Sequence, residues 1–495
     1  MKILLIVPPS TLWAIERPHV VQPLGIGYIA AVLEKEGYDV KVLDTIALGW
    51  QEYLLKWKGK RIEKGKTIHF GLSWEEIEKR VREANPDVVG ISSAYTCQSE
   101  NMHKTAEVVK KAGKNITVIV GGAHPTAFPQ HVLKDRNVDI VVIGEGELTA
   151  VELMHKLEKR IDFSEIKGIA CRKNDKIKIN ERREFVEDLD SLPFPARHLL
   201  PMKEYFEAKS THSGEAKWSP ITSMITSRGC PGVCIFCSIH SIWGRKWRSR
   251  SAKNVVDEIE HMVEKYHIRE LHFEDDNLTL NKQRMMEICD GIIERGLNKK
   301  IRWTTPNSVM VSTLDEEVLT KMKQSGCYAL SFGIESGNEH ILRDVVRKNV
   351  PFDRLRNIIK VCRKLKIETA GSFILGLPGE TQETFQKTID FAKDIGLDRA
   401  SFLAATPFPG TDLYKLCIDK GYISKDISWS SLRTIGSAVI TTEKFTKEDV
   451  LEWQRKAYRQ FYFRPKIIFR TALNHVKSPG SIWRLAKRYS KFVEK

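Results

Sequence analysis

Three cysteines are the residues whose types and spacing most directly indicate chemistry. Cys230, Cys234 and Cys237 lie in the string SRGCPGVCIFCS (Ser227–Ser238), and the spacing C-x3-C-x2-C lets their thiols converge on one metal centre from a single loop. A structural zinc site normally has four protein ligands, and a cubane iron–sulfur cluster normally takes four cysteines. Three cysteines therefore predict a 4Fe–4S cluster with one iron left open for a substrate or cofactor. The competing interpretation is a partial zinc site or three unrelated thiols.

Phe236 stands directly before the last of these cysteines. This arrangement resembles the radical S-adenosylmethionine superfamily. The resemblance implies that the open iron chelates the amino and carboxylate groups of S-adenosylmethionine. One electron from an external flavodoxin or ferredoxin then cleaves the sulfonium bond to give a 5′-deoxyadenosyl radical. Phe236 is expected to pack against the adenine.

Two carboxylates follow the second predicted strand of the cluster-bearing half, within Phe273–Asn277. The family resemblance implies that Asp275 or Asp276 binds the methionyl ammonium through charge-assisted hydrogen bonds. A turn and helix N-cap is the simpler alternative, since Asp and Asn are preferred there. Both interpretations can hold together.

Two later strand ends carry further matches to the same family. Glu335 occupies the family position that contacts the ribose hydroxyls or the methionine moiety, and a carboxylate accepts hydrogen bonds from a diol. Ile374 lies in a loose match to the G-x-I-x-G element that gives adenine an apolar backbone shelf. An ordinary buried strand explains Ile374 equally well.

The first ~150 residues resemble the cobalamin-binding domain that precedes many enzymes of this superfamily. Ser92, Ser93, Gly121, Gly122 and Glu145 lie in loops after predicted strands, where doubly wound sheets bind ligands. Small residues suit such loops because the backbone must approach a bulky phosphoribosyl group. A flavodoxin-like domain with no ligand or with another nucleotide is the alternative.

One departure from the cobalamin-binding pattern concerns the cobalt ligand. Domains that bind cobalt through histidine carry D-x-H-x-x-G, whereas the Asp44–Gly49 stretch has Ile46 in the histidine position. We therefore predict cobalamin without a histidine ligand from this loop.

The elements that position these residues form two α/β series, since apolar β-branched runs alternate with helical stretches. The predicted fold is a doubly wound, flavodoxin-like cobalamin-binding domain at 1–150, a connector at 151–215, a partial (βα)6 radical S-adenosylmethionine barrel at 216–415, and a helical basic region at 416–495. The predicted strands are Lys2–Val7, Asp39–Leu43, Val88–Ser92, Thr117–Val120, Ile140–Ile143, Ile221–Thr226, Glu270–Glu274, Ile301–Thr305, Ala329–Ile334, Thr369–Leu375 and Ala400–Ala405.

Composition bounds the protein class. The chain has 495 residues, of which 42% are hydrophobic and 29% charged, as in ordinary soluble proteins. No apolar run approaches the ~18–20 residues that span a bilayer. Nine cysteines with only one close cluster argue against a disulfide framework and for a reducing cytosol. We therefore predict a cytoplasmic enzyme.

The net charge of +16 is concentrated at the C-terminal end, where Trp453–Lys495 holds twelve basic residues and one acidic residue. A solvated helical cap over the barrel is the first interpretation for Lys444–Arg459. For Ser481–Lys495 the first interpretation is a helix that binds an anionic membrane surface peripherally. RNA binding by this basic, aromatic-containing tail is the alternative.

Cobalamin beside a radical generator predicts C-methylation of an unactivated carbon, and the membrane-binding tail favours a lipid-like or other hydrophobic substrate. The layout is similar to the anaerobic magnesium-protoporphyrin ester cyclase and hopanoid-modifying subgroup, so radical cyclisation or rearrangement is the first alternative. An RNA-modifying radical enzyme and a non-catalytic cobalamin carrier or sensor are the others.

Overall fold

The computed structural model describes residues 1–13, 18–57, 66–211 and 214–465. The predicted membrane-binding segment Ser481–Lys495 lies outside the described residues. The chain divides into two compact units: the first comprises Met1–Pro231, Ser238–Asp275 and Lys300–Arg302, and the second comprises Gly232–Cys237, Asp276–Lys299 and the chain from Trp303 onward. Within the described ranges, every helix is too short or too polar to cross a membrane.

The first unit contains fifteen strands and ten α-helices among its described residues. The strands are β1 (Lys2–Val7), β2 (Ser10–Trp13), β3 (Asp39–Asp44), β4 (Thr67–Phe70), β5 (Val88–Ser92), β6 (Thr117–Gly121), β7 (Ile140–Val142), β8 (Ile169–Lys173), β9 (Lys176–Ile179), β10 (Ser210–Thr211), β11 (Gly214–Glu215), β12 (Ile221–Met224), β13 (Ser227–Arg228), β14 (Arg248–Ser249) and β15 (Glu270–Phe273). The helices are α1 (Leu24–Lys35), α2 (Thr45–Trp57), α3 (Trp74–Ala84), α4 (Ser99–Ala112), α5 (Ala123–Ala127), α6 (Pro129–Val132), α7 (Glu147–Glu158), α8 (Met202–Ala208), α9 (Ile239–Trp243) and α10 (Ala252–Tyr266).

A seven-stranded sheet with the order β3-β1-β5-β6-β7-β8-β9 forms the core of this unit. Its first five strands pair in parallel, and they are rich in Val, Ile and Leu because both faces of the sheet are buried. One core cluster lies on each face. The five strands predicted for this half are confirmed, with ends that move by at most one residue.

The sheet continues beyond the predicted domain boundary at residue 150, which falls inside α7. Two strands of the predicted connector, β8 and β9, extend the sheet in antiparallel fashion. Asn174 and Asp175 join them with φ angles of 50° and 59°, which is the backbone of a type I′ hairpin turn. An Asn-Asp pair between two β-type runs was the local signal for this hairpin.

Two short strand pairs complete the first unit. Strands β12 and β15 pair in parallel. Strands β13 and β14 form an antiparallel ribbon in which Arg228 lies opposite Arg248. The chain between them, residues 229–247, contains the three cysteines.

The second unit contains four parallel strands that pair in chain order. They are β16 (Arg302–Val309), β17 (Cys327–Glu335), β18 (Glu368–Leu375) and β19 (Arg399–Ala404). The helices of this unit are α11 (Lys282–Glu294), α12 (Glu316–Gln324), α13 (Phe352–Lys364), α14 (Gln382–Asp394), α15 (Asp412–Asp419) and α16 (Lys447–Tyr462). With β12 and β15, these are the six strands predicted for the barrel.

Helix α16 covers the edge strand β19. Three side chains spaced four residues apart on the helix bond to its backbone: Gln454 Nε2 donates to Phe402 O at 2.9 Å, Tyr458 Oη accepts from Phe402 N at 3.3 Å, and Tyr462 Oη accepts from Ala400 N at 3.1 Å. Phe461 and Ala457 are fully buried beneath the helix. The predicted helical cap over the barrel is confirmed for α16.

We expect Gln454→Leu to lower the free energy of unfolding by about 2 kcal/mol, because buried carbonyls lose their donor. Gln454 Nε2 also donates to Thr434 O at 3.0 Å, so two carbonyls are affected. Glu452→Ala, at an exposed position of the same helix, is the matched control. Chemical unfolding followed by circular dichroism measures both, and equal midpoints would show that the edge contacts contribute nothing.

Candidate functional site

The backbone of the cysteine loop is held at two places. Gly229 has φ +84°, and a Cβ there would lie 2.3 Å from Lys246 O, so only glycine fits. In the second unit, Ile235 N donates to Val346 O at 3.1 Å and Ile235 O accepts from Leu413 N at 2.9 Å. The two bonds of the buried Ile235 thus fix the backbone between Cys234 and Cys237.

The cysteines differ in exposure and acidity. Cys230, Cys234 and Cys237 are half-buried, so a cluster can be delivered to them. Burial raises the pKa of the Cys289, Cys362 and Cys417 thiols to about 12. It also raises the pKa of the Cys327 thiol well above its usual value. These four thiols therefore stay protonated and are unsuited to metal binding. Within the described ranges, there is no group of three His, Cys, Asp or Glu side chains close enough together to hold a metal ion. The donor chemistry and exposure of the three cysteines fit an iron–sulfur cluster, and their assignment as ligands stays a prediction.

Asp275 fixes the chain that leads into the cysteine loop. Its carboxylate accepts hydrogen bonds from Thr226 N at 3.1 Å, Thr226 Oγ1 at 2.7 Å and Ser227 Oγ at 2.6 Å. These bonds go to Thr226 and Ser227, and α11 begins only at Lys282 with Asn281 as its cap, so the helix N-cap predicted at this motif is wrong. The ammonium-binding role of Asp275 or Asp276 stays a prediction. Burial, with a smaller contribution from the negative charge of Asp275, raises the pKa of the adjacent Glu274 to about 8.

Glu335 ends β17 in a left-handed conformation, with φ +69°. Such backbone strain in a non-glycine residue is concentrated at functional sites. Its Oε1 accepts from Lys348 Nζ at 2.7 Å. A Cβ on Gly333 would lie within 3.0 Å of the Glu335, Lys348 and Ser308 side chains, so the glycine makes room for this polar group. Lys348 was not predicted from the sequence, because it lies thirteen residues beyond the motif.

One face of the second-unit sheet carries small and polar residues. Residues 370 and 372 of β18 are half-buried and alternate with buried residues that face the helices, and Ser401 is exposed opposite Ser372. Ser331 and Ser308 stand opposite each other on β17 and β16. Barrel interiors are usually filled by branched aliphatic side chains, so this face is suited to a polar ligand.

Ile374 continues the alternation of β18 on this same face, although it is only 6% exposed. This position fits an apolar shelf beside a polar ligand. Phe236, in the cysteine loop, is half-buried. The adenine contacts of both residues stay predictions.

Four of the five residues predicted to bind cobalamin meet at the carboxyl ends of β5 and β6. Ser92 pairs with Gly121, and Ser93 N donates to Gly121 O at 2.8 Å. Gly122 has φ +122°, and a Cβ there would lie 2.5 Å from Ser93 O. Ser93 Oγ is buried and has no hydrogen-bond partner among the described residues. The two glycines leave room for a ligand next to the backbone, and the Ser93 hydroxyl can bond to it. This cradle, formed by Ser92, Ser93, Gly121 and Gly122, fits the polar tail of cobalamin.

Glu145 has different partners. Its carboxylate pairs with Arg248 at 2.7 Å and with Arg228 at 3.3 Å, and it accepts from Val186 N at 2.8 Å. The loop after β7 is thus joined to the strands that flank the cysteines. Sequence reasoning missed both arginines, although Arg228 stands two residues before Cys230. A cobalamin contact of Glu145 stays a prediction.

The Asp44–Gly49 stretch is not the predicted loop, because α2 begins at Thr45. Asp44 accepts from Ile46 N at 3.0 Å and Ala47 N at 2.9 Å, and Tyr205 Oη donates to it at 2.5 Å. Burial raises the pKa of Asp44 to about 6, and these hydrogen bonds oppose that shift. The aspartate is therefore a helix cap, which explains its presence without a cobalt ligand.

We expect Gly122→Ala to weaken cobalamin binding by at least about tenfold, since forcing a side chain into this backbone region costs about 1–3 kcal/mol. Absorbance titration of the apoprotein with hydroxocobalamin measures the affinity. Gly25→Ala is the control, because nothing lies within 4 Å of a Cβ at that position. Unchanged affinity of the Gly122 variant would place the cofactor elsewhere.

Comparison with known proteins gives two family matches and full-length relatives. Residues 11–154 match the B12 binding domain and residues 224–392 match the Radical SAM superfamily. The chain is 34% identical over 491 residues to cytidylyl-2-hydroxyethylphosphonate methyltransferase of Streptomyces wedmorensis, with 94% of this chain and 90% of the relative covered. It is 35% identical over 478 residues to an uncharacterized methyltransferase of Pyrococcus horikoshii, with 96% and 95% covered.

More distant matches are consistent with the same layout. The anaerobic magnesium-protoporphyrin IX monomethyl ester cyclase of Cereibacter sphaeroides is 27% identical, with 89% of this chain and 67% of the relative covered. The hopanoid C-3 methylase of Methylococcus capsulatus is 24% identical, with 79% and 68% covered. The solved structure of OxsB, a cobalamin-dependent S-adenosylmethionine radical enzyme with aqua-cobalamin and S-adenosylmethionine bound, superposes with a TM-score of 0.72 at 17% identity, covering 99% of this chain and 71% of that one. That likeness concerns the fold.

Proposed function

Because this chain belongs to the family of cobalamin-dependent radical S-adenosylmethionine methyltransferases, we propose that it methylates an unactivated carbon of a polar substrate. The family confirms the predicted superfamily, the enzyme class and the three cofactors, which are a 4Fe–4S cluster, S-adenosylmethionine and cobalamin. The reaction and the substrate class are the proposed part.

Separate groups of residues would bind the separate cofactors. When bound, the cofactors supply a carbon-centred radical and a methyl group. Cys230, Cys234 and Cys237 would hold the cluster. Glu335 would accept hydrogen bonds from ligand hydroxyls, with Lys348 orienting its carboxylate at 2.7 Å. The backbone cradle after β5 and β6 would hold cobalamin.

Methyl transfer is favoured over cyclisation by the pattern of relatives. Two relatives that cover 94% and 96% of this chain are both named methyltransferases. The magnesium-protoporphyrin cyclase is less similar and extends well beyond the aligned part.

The observation that supports a polar substrate is the face of the second-unit sheet that carries small and polar residues. Ser308, Ser331, Ser372 and Ser401 line adjacent strands and are at least partly exposed. Serine hydroxyls donate and accept hydrogen bonds, so this face can stabilise polar ligands. The Streptomyces relative is named for a cytidylyl phosphonate substrate, which agrees with such a face.

The earlier prediction of a lipid-like substrate stays open as the alternative. It rests on the basic tail, which lies outside the described residues, and on relatives named for hopanoid and porphyrin substrates. The need for an external electron donor follows from the family. Neither an anionic membrane surface nor RNA is needed to explain the described part of the chain.

The test uses the holoenzyme, reconstituted anaerobically and supplied with S-adenosylmethionine carrying a trideuteromethyl group. Nucleotidyl phosphonates and a total lipid extract are offered separately, and products are analysed by mass spectrometry. Label in the phosphonate supports the proposal. Label in the lipid fraction alone overturns the polar substrate and keeps methyl transfer, whereas 5′-deoxyadenosine with unlabelled, oxidised or cyclised product overturns methyl transfer.

A further inference from the structure

A buried ion-pair cluster joins the loop after β7 to the two strands that flank the cysteines. Its members are Glu145, Glu147, Arg228 and Arg248, each at most 8% exposed. Arg228 Nη2 donates to Glu147 Oε1 at 2.5 Å. Arg248 donates to both oxygens of Glu145, at 2.7 and 3.1 Å. All four residues belong to the first compact unit.

The two arginines hold both ends of one segment. Arg228 ends β13 and Arg248 begins β14, and they lie opposite each other across the ribbon. Like charges directly opposite on paired strands are normally destabilising, and here the two carboxylates neutralise them. The chain between the arginines, residues 229–247, carries Cys230, Cys234 and Cys237. The cluster therefore fixes the entry and the exit of the cysteine-bearing segment to one loop.

Aromatic rings and backbone contacts strengthen this junction. The Arg228 guanidinium lies 5.3 Å from the Tyr28 ring centroid and 5.7 Å from that of Trp243. The Arg248 guanidinium lies 4.7 Å from that of Phe185. A Cβ on Gly144 would lie 3.8 Å from Ile242 O, and α5, which follows Gly122, packs beside α9. Two loops on the cobalamin side thus contact the cysteine-bearing segment.

Stability alone does not explain four buried charges. Replacing a buried ion pair by apolar side chains of similar size is often neutral or stabilising, whereas buried pairs can specify one arrangement of the chain. Hydrogen-bonded charges require a defined geometry, because each carboxylate oxygen must meet its guanidinium. Such a junction is suited to holding two cofactors at a fixed separation.

We propose that Glu147 and Arg228, with Glu145 and Arg248, are positioning residues that set the separation between Cys230 and the cobalamin cradle. This inference rests on the family assignment and on the predicted ligand role of the cysteines. It does not depend on the identity of the substrate. The junction would keep the sites of radical formation and methyl transfer correctly placed, because a misplacement of about 1 Å can slow a reaction by about 100-fold.

The test needs no substrate. In the holoenzyme, the reduced 4Fe–4S cluster and cob(II)alamin are both paramagnetic, and their dipolar spin coupling falls with the cube of their separation. Glu147→Gln keeps the shape of the side chain and removes its charge. Arg228→Lys keeps a charge and loses the paired donors. Glu152→Gln is the matched control, because Glu152 lies on the same helix and pairs with Arg183 instead.

We expect normal iron and cobalamin content in the Glu147 and Arg228 variants, with a broadened or weakened spin coupling. Hydrogen exchange of residues 229–247 should rise by about tenfold, which corresponds to ~1.4 kcal/mol of local opening. The Glu152 variant should behave like the wild type. Unchanged coupling and exchange would overturn the proposal. Loss of iron, cobalamin and fold together in both variants would also overturn it, since the cluster would then be structural only.

Substrate turnover separates this proposal from the proposed function. With a methylated substrate in hand, the ratio of methylated product to 5′-deoxyadenosine should fall by about tenfold in the Glu147 variant. If no tested compound is methylated, the spin-coupling result still decides the positioning role.

Discussion

The Cys234→Ala variant is expected to lose its iron–sulfur cluster and reductive cleavage of S-adenosylmethionine. A cluster left with two protein thiolates is not stably retained, so no electron reaches the sulfonium bond. The rate of 5′-deoxyadenosine formation should fall by at least about 1,000-fold, equivalent to ~4 kcal/mol in the activation barrier. Iron and sulfide analysis, together with chromatographic detection of 5′-deoxyadenosine, measures both losses.

A buried cysteine provides the control for this experiment. Cys417 is fully buried in α15, and burial raises the pKa of its thiol to about 12. Cys417→Ala removes one thiol from a site that cannot present a thiolate, so iron content and cleavage should stay near the wild-type values. Full iron and full cleavage in the Cys234 variant would remove Cys234 from the ligand set.

The second large effect is expected on stability, at a buried triad in the first unit. Glu258 on α10 is fully buried and accepts from Arg197 at 2.6 Å and from Arg250. Breaking a buried ion pair by removing one partner typically costs about 3–5 kcal/mol. Glu258→Ala leaves two guanidinium groups buried without their carboxylate. We therefore expect the free energy of unfolding to fall by that amount, and chemical unfolding of the apoprotein measures it.

The same helix offers a control for Glu258. Lys253 and Asp257 form an exposed pair at 2.7 Å, with the lysine side chain 81% exposed. Surface pairs of this kind are worth about 0.2–1 kcal/mol, so Lys253→Ala should change stability little. Equal losses in the two variants would mean that α10 responds to any substitution.

The pH dependence of the Glu258 effect has a defined sign. Burial alone would raise the pKa of Glu258, but Arg197 and Arg250 outweigh burial and hold it below the ordinary value. A lowered folded-state pKa contributes stability above the unfolded pKa of about 4.3 and loses it as the pH falls towards the folded value. The wild type should therefore exceed Glu258→Gln in free energy of unfolding by a constant amount from pH 8 to 5. Below about pH 4 this difference in free energy should become smaller.

The parallel strands could be predicted well from the sequence, because a strand that is buried on both faces is a continuous run of apolar residues. Strand β6 reads as an unbroken apolar run that ends at a Gly-Gly pair, and the structure ends it within one residue of the prediction. The clustering of Ser92, Ser93, Gly121 and Gly122 followed from the rule that parallel strands end at one edge. The cysteine spacing and Glu335 were readable for the same reason, since each is part of a local motif.

Features that depend on residues far away in the sequence could not be predicted from local motifs. Strands β8 and β9 are polar on one side, and only their pairing with β7 shows that they belong to the sheet. Glu145 was assigned to cobalamin, but its arginines come from a segment more than eighty residues away. Asp44 matched a ligand motif, and its contact with Tyr205 comes from a helix 161 residues later. Side-chain pairs of this range are set by the assembled fold.

The covering of β19 by α16 bears on how the chain avoids associating with itself. An uncovered edge strand presents unpaired N–H and C=O groups that another chain can join as an extra strand. Gln454, Tyr458 and Tyr462 occupy these groups with side chains rather than with a further strand. The sheet can therefore end at β19 without pairing with a further strand, and shortening the protein before Lys447 would convert that edge into a template for strand-to-strand aggregation.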